Sequence, residues 1–588
     1  MPVLCAKARP RPRGALPERF EQRKRALKTI PPINSARTLP VPVQWPPAMG
    51  AFAKKVLGWL FGQAEGAGHL WPRWIFLRAL GAIFFSAFYS LAFQIEGMIG
   101  PNGILPARDY LSYLAHHTGL DRYWFAPTLL WLGSGSEAMR VLVWAGLVAS
   151  VLLFFNVSPR GSIFICLVAF LSFVAAARDF ADFQSDGMLL EAGFICLFFA
   201  PPGWRPGLGE RHAPSRASLF LLQWEWFRIY FESGVAKLAS HDPEWRHLTA
   251  MNHYFQNGPL PTWIGWYAEQ LPQAIQRGLT LFTLIAELGL CWMFLLPRRY
   301  RIVCFLILTP FQIGIILTAN YAFLNYLVLF LGFLLLDDRF FKSAFAWGGL
   351  ARAKSWLGRL GAGKPAASAE GGLGSAPKPE NPVLAWIKLF VPTFFLTWIF
   401  YATTALLLLM LVPWLPLPAT PITLLEPFRF ANRYGLFAVM THGRYEIEFQ
   451  GSRDGVTWIP YPFRYKPQDP RQPPGIYAPY QPRFEWNLWF ASLEPWEANP
   501  WVVRAEELLL ENDPSVLALF RSNPFAKKPP RFIRAVLWQY WFTNLQQRRV
   551  TGKWWRRKLL GLYSPILERR KNGEIVGFEW PSGSSTPH

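Results

Sequence analysis

Hydrophobic residues gather in long blocks separated by short polar loops. Apolar segments run over about 74–95, 138–157, 161–177, 187–201, 217–238, 278–296, 300–318, 321–337 and 386–412. A helix needs about 20 apolar residues to cross the hydrocarbon core of a bilayer. The pattern therefore predicts nine transmembrane helices, with 187–201 and 321–337 short enough to be tilted or re-entrant. From about Ile422 the period changes. Tyr445, Ile447 and Phe449 alternate with Glu446 and Glu448, and Asp454-Gly455 supplies a turn before Val456-Thr457-Trp458, which predicts a β-hairpin. Residues 472–493, rich in proline and aromatics, read as a loop crossing the sheet. Asn499-Pro500 and Asp513-Pro514 each open a helix, and 529–543 alternates as a strand. The run Lys553-Trp554-Trp555-Arg556-Arg557-Lys558 fits either a lipid headgroup surface or a solvated strand end. The expected fold is an α-helical polytopic membrane bundle followed by a β-rich exported C-terminal domain with some helices.

Charge sets the orientation. Arg160, the group Arg205, Arg211 and Arg216, the group Arg298, Arg299 and Arg301, and the basic stretch 339–388 fall on one side, while loops 97–137, 178–186 and 239–276 are poor in lysine and arginine. Short cytosolic loops are the ones enriched in these residues. The N-terminus is then cytosolic, and nine crossings export the C-terminal domain. The expected division is a basic, disordered arm over 1–70 with an amphipathic stretch at 51–61, an eight-span bundle over 71–341, a flexible cytosolic linker over 342–382, a last helix over 383–415 and the exported domain over 416–588. The first apolar segment begins near Trp74, too far in and too long for a cleaved signal peptide, and part of the arm also reads as a misassigned start. Such a chain resides in the bacterial inner membrane, or in the endoplasmic-reticulum membrane if eukaryotic.

Composition agrees with the bilayer as partner. Only 16% of the 588 residues are charged, against about 25% in soluble domains. The net charge of +23 is spread over the arm, the short loops and the C-terminal end, with no nucleic-acid-binding motif, so no nucleic-acid partner is expected. Cys166, Cys196, Cys291 and Cys304 lie in apolar spans and no C-x-x-C pair occurs, which leaves no basis for disulfide exchange.

Two spans carry charge. Asp179, Asp182, Asp186 and Glu191 stand at the mouth of and inside the fourth, and Glu225, Arg228, Glu232 and Lys237 lie in the fifth. Each costs roughly 2.5–3.5 kcal/mol within a membrane helix, so such groups are paired, buried in a bundle or functional. We read Asp182, Asp186, Glu191, Glu225, Arg228, Glu232 and Lys237 as a polar membrane core, either a structural ion-pair network or a site. Glu225, Arg228 and Glu232 share a helix face, so Arg228 can bridge two carboxylates. Lys237 lies about half a turn round and stands apart. His241, His247 and His253 recur every six residues rather than at the three or four that place helical ligands together, so no metal is expected. No nucleophile elbow, P-loop or dinucleotide fingerprint is present, and no cofactor is expected.

Several long motifs resemble the lipase maturation factor family: FQSDGMLLEAGFICLFFAP, FRIYFESGVAKLASHDPEWRHLTAMNHYFQNGPLPTW and LTANYAFLNYLVLFLGFLLLDD in the bundle, and PFRFANRYGLFAVMT, EIEFQGSRDGVTWIPYPFRYKPQDP and PRFEWNLWF after it. They cover about residues 74–560 in order. Ser185-Asp186 stands where an aromatic is expected before the aspartate, and Glu-Trp-Asn-Leu stands where Asp-Trp-Gln-Met is usual. The basic arm and the lack of cysteines in the C-terminal domain resemble a bacterial member. The resemblance implies a non-catalytic maturation factor or chaperone for secreted lipases or other exported clients. Phe428, Tyr434, Trp458, Tyr480, Trp486 and Trp489 are its candidates for a client-binding surface, with a place in the domain core as the alternative for most of them. A remoter likeness links FESGVAKL, Asp242 and Trp245 to the membrane domain of vitamin K-dependent γ-glutamyl carboxylases. It implies the alternative, a membrane enzyme with Lys237 as base.

Overall fold

The computed structural model describes residues 68–346 and 382–581. Almost all of the basic arm, of its amphipathic stretch and of the expected linker lies outside the described residues. Helices occupy all nine apolar segments: α1 (Leu70–Ile99), α2 (Ser136–Phe154), α3 (Pro159–Ala176), α4 (Gln184–Phe199), α5 (Arg216–Ala239), α6 (Gln273–Leu288), α7 (Arg298–Thr318), α8 (Leu324–Gly332) and α9 (Pro382–Leu411). Six are long and apolar enough to cross a membrane: α1, α2, α3, α6 with its 3-10 extension to Leu295, α7 and α9. The other three fall short for different reasons. Helix α4 has 16 residues, α8 with its extension ends at Leu335, and α5 has 24 residues but carries the four charges named above. Burial explains how α4 and α5 tolerate polar groups, since most of their residues are enclosed by neighbouring helices.

Helix α1 runs beside α2 because glycines clear the way. A Cβ at Gly81 would come within 2.7 Å of the Phe154 backbone nitrogen, and one at Gly146 would strike the Phe88 ring. Small residues at such crossings let helix backbones approach closely in a bilayer.

The turns divide into two sides. On one, Asp338 accepts the amides of Leu70 and Trp71 at 3.1 and 2.8 Å, Arg73 donates to the carbonyls of Leu208 and His212, and Arg160 donates to that of Ala200. On the other, the C-terminal end of α1 and the connections after α3, α5 and α7 meet the C-terminal domain. That domain therefore sits on the arginine-poor side of the bundle.

The domain is built on an antiparallel sheet with β1 (Arg444–Ser452), β2 (Ile459–Pro460), β3 (Phe532–Phe542), β4 (Trp555–Leu562), β5 (Ile566–Arg569) and β6 (Ile575–Glu579). Its order is β2-β1-β3-β5-β6, with β4 also paired to β3. The expected hairpin forms, although its second strand is shorter and later than 456–458. The Asp454 carboxylate holds the turn by accepting the amides of Val456 and Thr457 at 2.9 and 2.7 Å, and Gly455 adopts φ +77°. Helices α11 (Pro500–Leu510) and Pro514–Leu517 start at the two Asx-Pro steps, and Asp513 caps the second. The expected loop at 472–493 instead contains α10 (Arg483–Ala491), whose Phe484 and Leu488 are one turn apart and buried. Trp555 is buried at the start of β4, so it anchors the domain core rather than a headgroup layer.

Helix α11 carries Glu506 beneath the sheet, where its Oε2 accepts the Ser564 hydroxyl at 2.7 Å. Burial raises this carboxyl to about 8. The folded chain thus holds a proton that the unfolded chain releases above about 4.5, so Glu506 makes stability fall as pH rises from that value to about 8. Glu506→Gln removes this dependence. The stability difference, variant minus native, should grow by up to about 1.4 kcal/mol per pH unit across the window. Thermal melts of detergent-solubilised protein at a series of pH values measure it, and parallel curves would contradict it.

Candidate functional site

The charged groups of α4 and α5 meet in the bundle interior. Arg228 is buried between Glu191 of α4 and Glu232 one turn further along α5. Its Nη2 donates to Glu191 in a very short contact, and its Nη1 lies 3.7 Å from Glu232. Arg228 thus joins two carboxylates, but Glu191 holds the place that helix spacing alone offers to Glu225. The Glu225 carboxylate is buried beside this pair and has no hydrogen-bond partner among the described residues. Lys237 stands apart. Its Nζ is 2.8 Å from the Glu287 carboxylate of α6 and 3.1 Å from the Ser233 hydroxyl, and it lies 5.1 Å from the centre of the Trp245 ring. Asp182 is half-exposed and pairs with Arg429 at 3.4 Å. Asp186 takes no part in the Arg228 cluster.

What completes these charges is the chain that follows α9. Residues 428–444 run as a strap along α4, α5 and the loop after α5. The Phe430 ring stacks on Phe194 at 4.2 Å between centroids. Phe194 lies about 15 Å along α4 from Gln184 at 1.5 Å per residue, so the strap reaches well down the helix. Asn432 donates its backbone and side-chain N–H groups to Glu191 Oε2 at 3.0 and 3.2 Å, and its carbonyl accepts Arg228 Nη1 at 2.8 Å. Glu232 accepts the Tyr434 amide at 2.5 Å. Two glycines permit this approach. A Cβ on Gly187 would overlap the Asn432 side chain, and one on Gly435 would lie 2.9 Å from the Ala236 Cβ. Further along, the carbonyls of Phe437 and Ala438 accept Trp245 Nε1 and the Ser240 hydroxyl, and Asp242 accepts the Met440 amide at 2.6 Å. Arg444 ends the strap, fully buried, donating to the carbonyls of Gln256, Gly258 and Pro259 and pairing with Glu446.

Two more anchors lie beyond β1. Arg483 of α10 makes a bidentate pair with Asp186, 2.7 Å for each bond, and also donates to the Phe180 carbonyl at 3.0 Å. The rings of Phe170, Phe173 and Phe183 flank the guanidinium, an arrangement that suits its weak hydration. Asn320, just past α7, accepts the amides of Tyr477 and Ala478 and donates to the Gly475 carbonyl. Gln94 of α1 donates to the Gln481 carbonyl at 3.0 Å.

Arg483, Asn432, Asn320 and Glu287 were absent from the residues expected to matter. Glu287 is a charge inside an apolar span, so the rule that found Glu191 also points to it. Arg483 and Asn432 lie within the conspicuous motifs PRFEWNLWF and PFRFANRYG, but no local pattern shows that they face a membrane helix. The candidate client surface is redistributed by the same docking. Tyr434, Trp486 and Trp489 are buried, and Trp486 stacks on Phe183. Phe428 and Tyr480 are half-buried against the bundle, Phe428 beside Phe430 and Tyr480 against Tyr89. Trp458 lies on the sheet, covered on one side by Arg534 at 4.1 Å.

A helical bundle whose buried acids are answered by the chain's own C-terminal domain defines a multi-pass membrane protein with a docked, sheet-containing domain. The lipase maturation factor transmembrane domain matches residues 71–343, and the lipase maturation factor C-terminal domain matches 430–565. Human lipase maturation factor 2 is 32% identical over 85% of this chain and 83% of its own length. Bovine lipase maturation factor 1 is 30% identical over 88% of this chain and 92% of its own length. No solved structure matches. The chain belongs to the lipase maturation factor family.

Arg483→Leu strands the Asp186 carboxylate, and breaking a buried pair in this way costs about 3–5 kcal/mol. The variant should melt well below the native protein in detergent and lose protease resistance between the bundle and the C-terminal domain. The double replacement Arg483→Leu with Asp186→Leu should recover most of the loss, because an apolar pair of similar volume needs no counter-charge. A single variant as stable as the native chain would show that this pair does not hold the domain.

Proposed function

We propose that this protein is a non-catalytic maturation factor that helps exported lipases, or clients like them, to fold and assemble, with its C-terminal domain on the non-cytosolic side. The observation that carries the reading is the match to lipase maturation factors over most of the chain, through both the bundle and the C-terminal domain. The docking supports it in physical terms. Glu191, Arg228, Glu232 and Asp186 are engaged in holding the C-terminal domain, and Lys237 is engaged by Glu287. The carboxylase-like alternative, with Lys237 as base, gains no support from these relatives, and the Asp242 and Trp245 of its motif bind the strap.

With Tyr434, Trp486 and Trp489 buried, the client surface is better placed at the sheet end remote from the strap. There Trp458 stands near exposed Val456 and Ile459, and Phe532 packs against exposed Phe578 at 5.8 Å. An apolar patch beside arginine suits the exposed hydrophobic surface of an unfinished client.

The test is secretion of active lipase by cells lacking this protein and complemented with variants that still accumulate. Removing the C-terminal domain is a poor test, because it strands Asp186 and takes the Asn432 donors from Glu191, and Lys237→Ala alone strands Glu287. The double variant Lys237→Met with Glu287→Gln should keep full lipase secretion, whereas Val456→Asp with Phe578→Asp should lower it by about tenfold at unchanged protein level, a loss equal to about 1.4 kcal/mol of client binding. The opposite pattern would favour the enzyme. Orientation has its own check: a reporter inserted at Lys364 should report the cytosol and one fused after Ser582 the other side. Both reporting the cytosol would refute the nine-crossing arrangement.

A further inference from the structure

Glu244, His253 and His442 come together outside the charged core. Glu244 belongs to the short helix Pro243–Arg246, His253 to Met251–Asn257, and His442 to the end of the strap just before β1. His253 Nε2 lies 3.5 Å from Glu244 Oε2, and His442 Nδ1 lies 3.9 Å from Glu244 Oε1. The two imidazole rings stand 4.8 Å apart in an edge-on arrangement, and the three donor atoms lie within 4.8 Å of one another. Tetrahedral zinc, with bonds of about 2.0–2.2 Å to nitrogen and oxygen, sets its donors about 3.3–3.6 Å apart. The trio is at that spacing or needs to close by only about an ångström, well within the rotation of two imidazoles.

We propose that Glu244, His253 and His442 bind a zinc ion that fastens the strap to the loop after α5. Two imidazoles and a carboxylate are borderline donors that favour zinc over calcium or magnesium. A hydroxyl already orients the carboxylate, since Thr249 Oγ1 donates to Glu244 Oε2 at 2.5 Å. Outer partners of this kind fix a metal ligand and raise affinity. The His442 side chain is 64% exposed, which leaves the fourth position facing solvent and open to water. Position gives the ion a use. His442 lies two residues before Arg444, so the metal would pin the chain where it passes from the strap into the sheet. Histidine spacing within the loop gives no hint of this, because the third ligand arrives from the C-terminal domain.

The experiment uses the full chain in detergent, stripped with a chelator, incubated with low-micromolar zinc, desalted and assayed for metal by mass spectrometry. Native protein should retain one zinc per chain. His442→Ala and His253→Ala should retain none, His116→Ala should behave as native, and His442→Asp, which keeps a donor, should restore retention. Cobalt in place of zinc should give the intense visible bands of four-coordinate geometry, lost in His442→Ala. His442 is exposed, so its replacement leaves the fold intact, as tryptophan fluorescence would verify. Equal zinc in the native protein and His442→Ala, or none in either, would overturn the proposal and leave the trio as an ordinary histidine–carboxylate cluster.

Discussion

The arrangement of this protein rests on the need to neutralise ionised groups inside an apolar bundle. Helices α4 and α5 bury Asp186, Glu191, Arg228 and Glu232, and the bundle alone does not satisfy them. Arg228 answers Glu191 and Glu232, but the lone pairs and donors left over are completed by Asn432 and Tyr434 of the strap, and the Asp186 carboxylate is paired by Arg483 of α10. A carboxylate left without partners in such surroundings costs several kcal/mol. The C-terminal domain is therefore part of the bundle's own electrostatics rather than an appendage on a helix.

This coupling has consequences for packing and folding. The strap lies against α4 and α5 only because Gly187 and Gly435 leave no Cβ in the way. Aromatic contacts such as Phe194 with Phe430 and Phe183 with Trp486 then fill the junction. Polar anchors set the register and rings supply the buried area, so the two regions specify each other. Before the strap and α10 arrive, Asp186 lacks its Arg483 partner, and Glu191 and Glu232 have Arg228 but not the N–H donors of Asn432 and Tyr434. Docking of the last third of the chain thus completes the fold of the first.

For function, the result is a sheet held at a set position on the arginine-poor side of the membrane region. A factor that receives a folding chain at the membrane gains from such fixed presentation, because a surface ordered in advance loses less freedom on binding. Of the groups that look most chemical in the sequence, Asp186, Glu191 and Arg228 bond to the C-terminal domain, and Lys237 pairs with Glu287 inside the bundle.

Some of this was legible in the chain alone. The nine apolar blocks located nine helices, since helix length and hydropathy are local properties. The Asp454-Gly455 turn, the two Asx-Pro helix starts and the alternation of β3 were readable for the same reason. The cost of burying charge marked α4 and α5 as the place where something polar must meet. What met them was not legible. Helix spacing offered Glu225 to Arg228, yet Glu191 from another helix is its partner. Trp486 and Trp489 read as either client-binding or core aromatics, and both are buried at the docked helix α10. Arg483 lies 297 residues from Asp186, and Asn432 lies 241 from Glu191. Sequence by itself determined which groups needed partners, because desolvation cost follows from residue type and local hydropathy. Only the tertiary structure decided who the partners were, because that choice depends on which distant segment can approach closely enough to exchange hydrogen bonds.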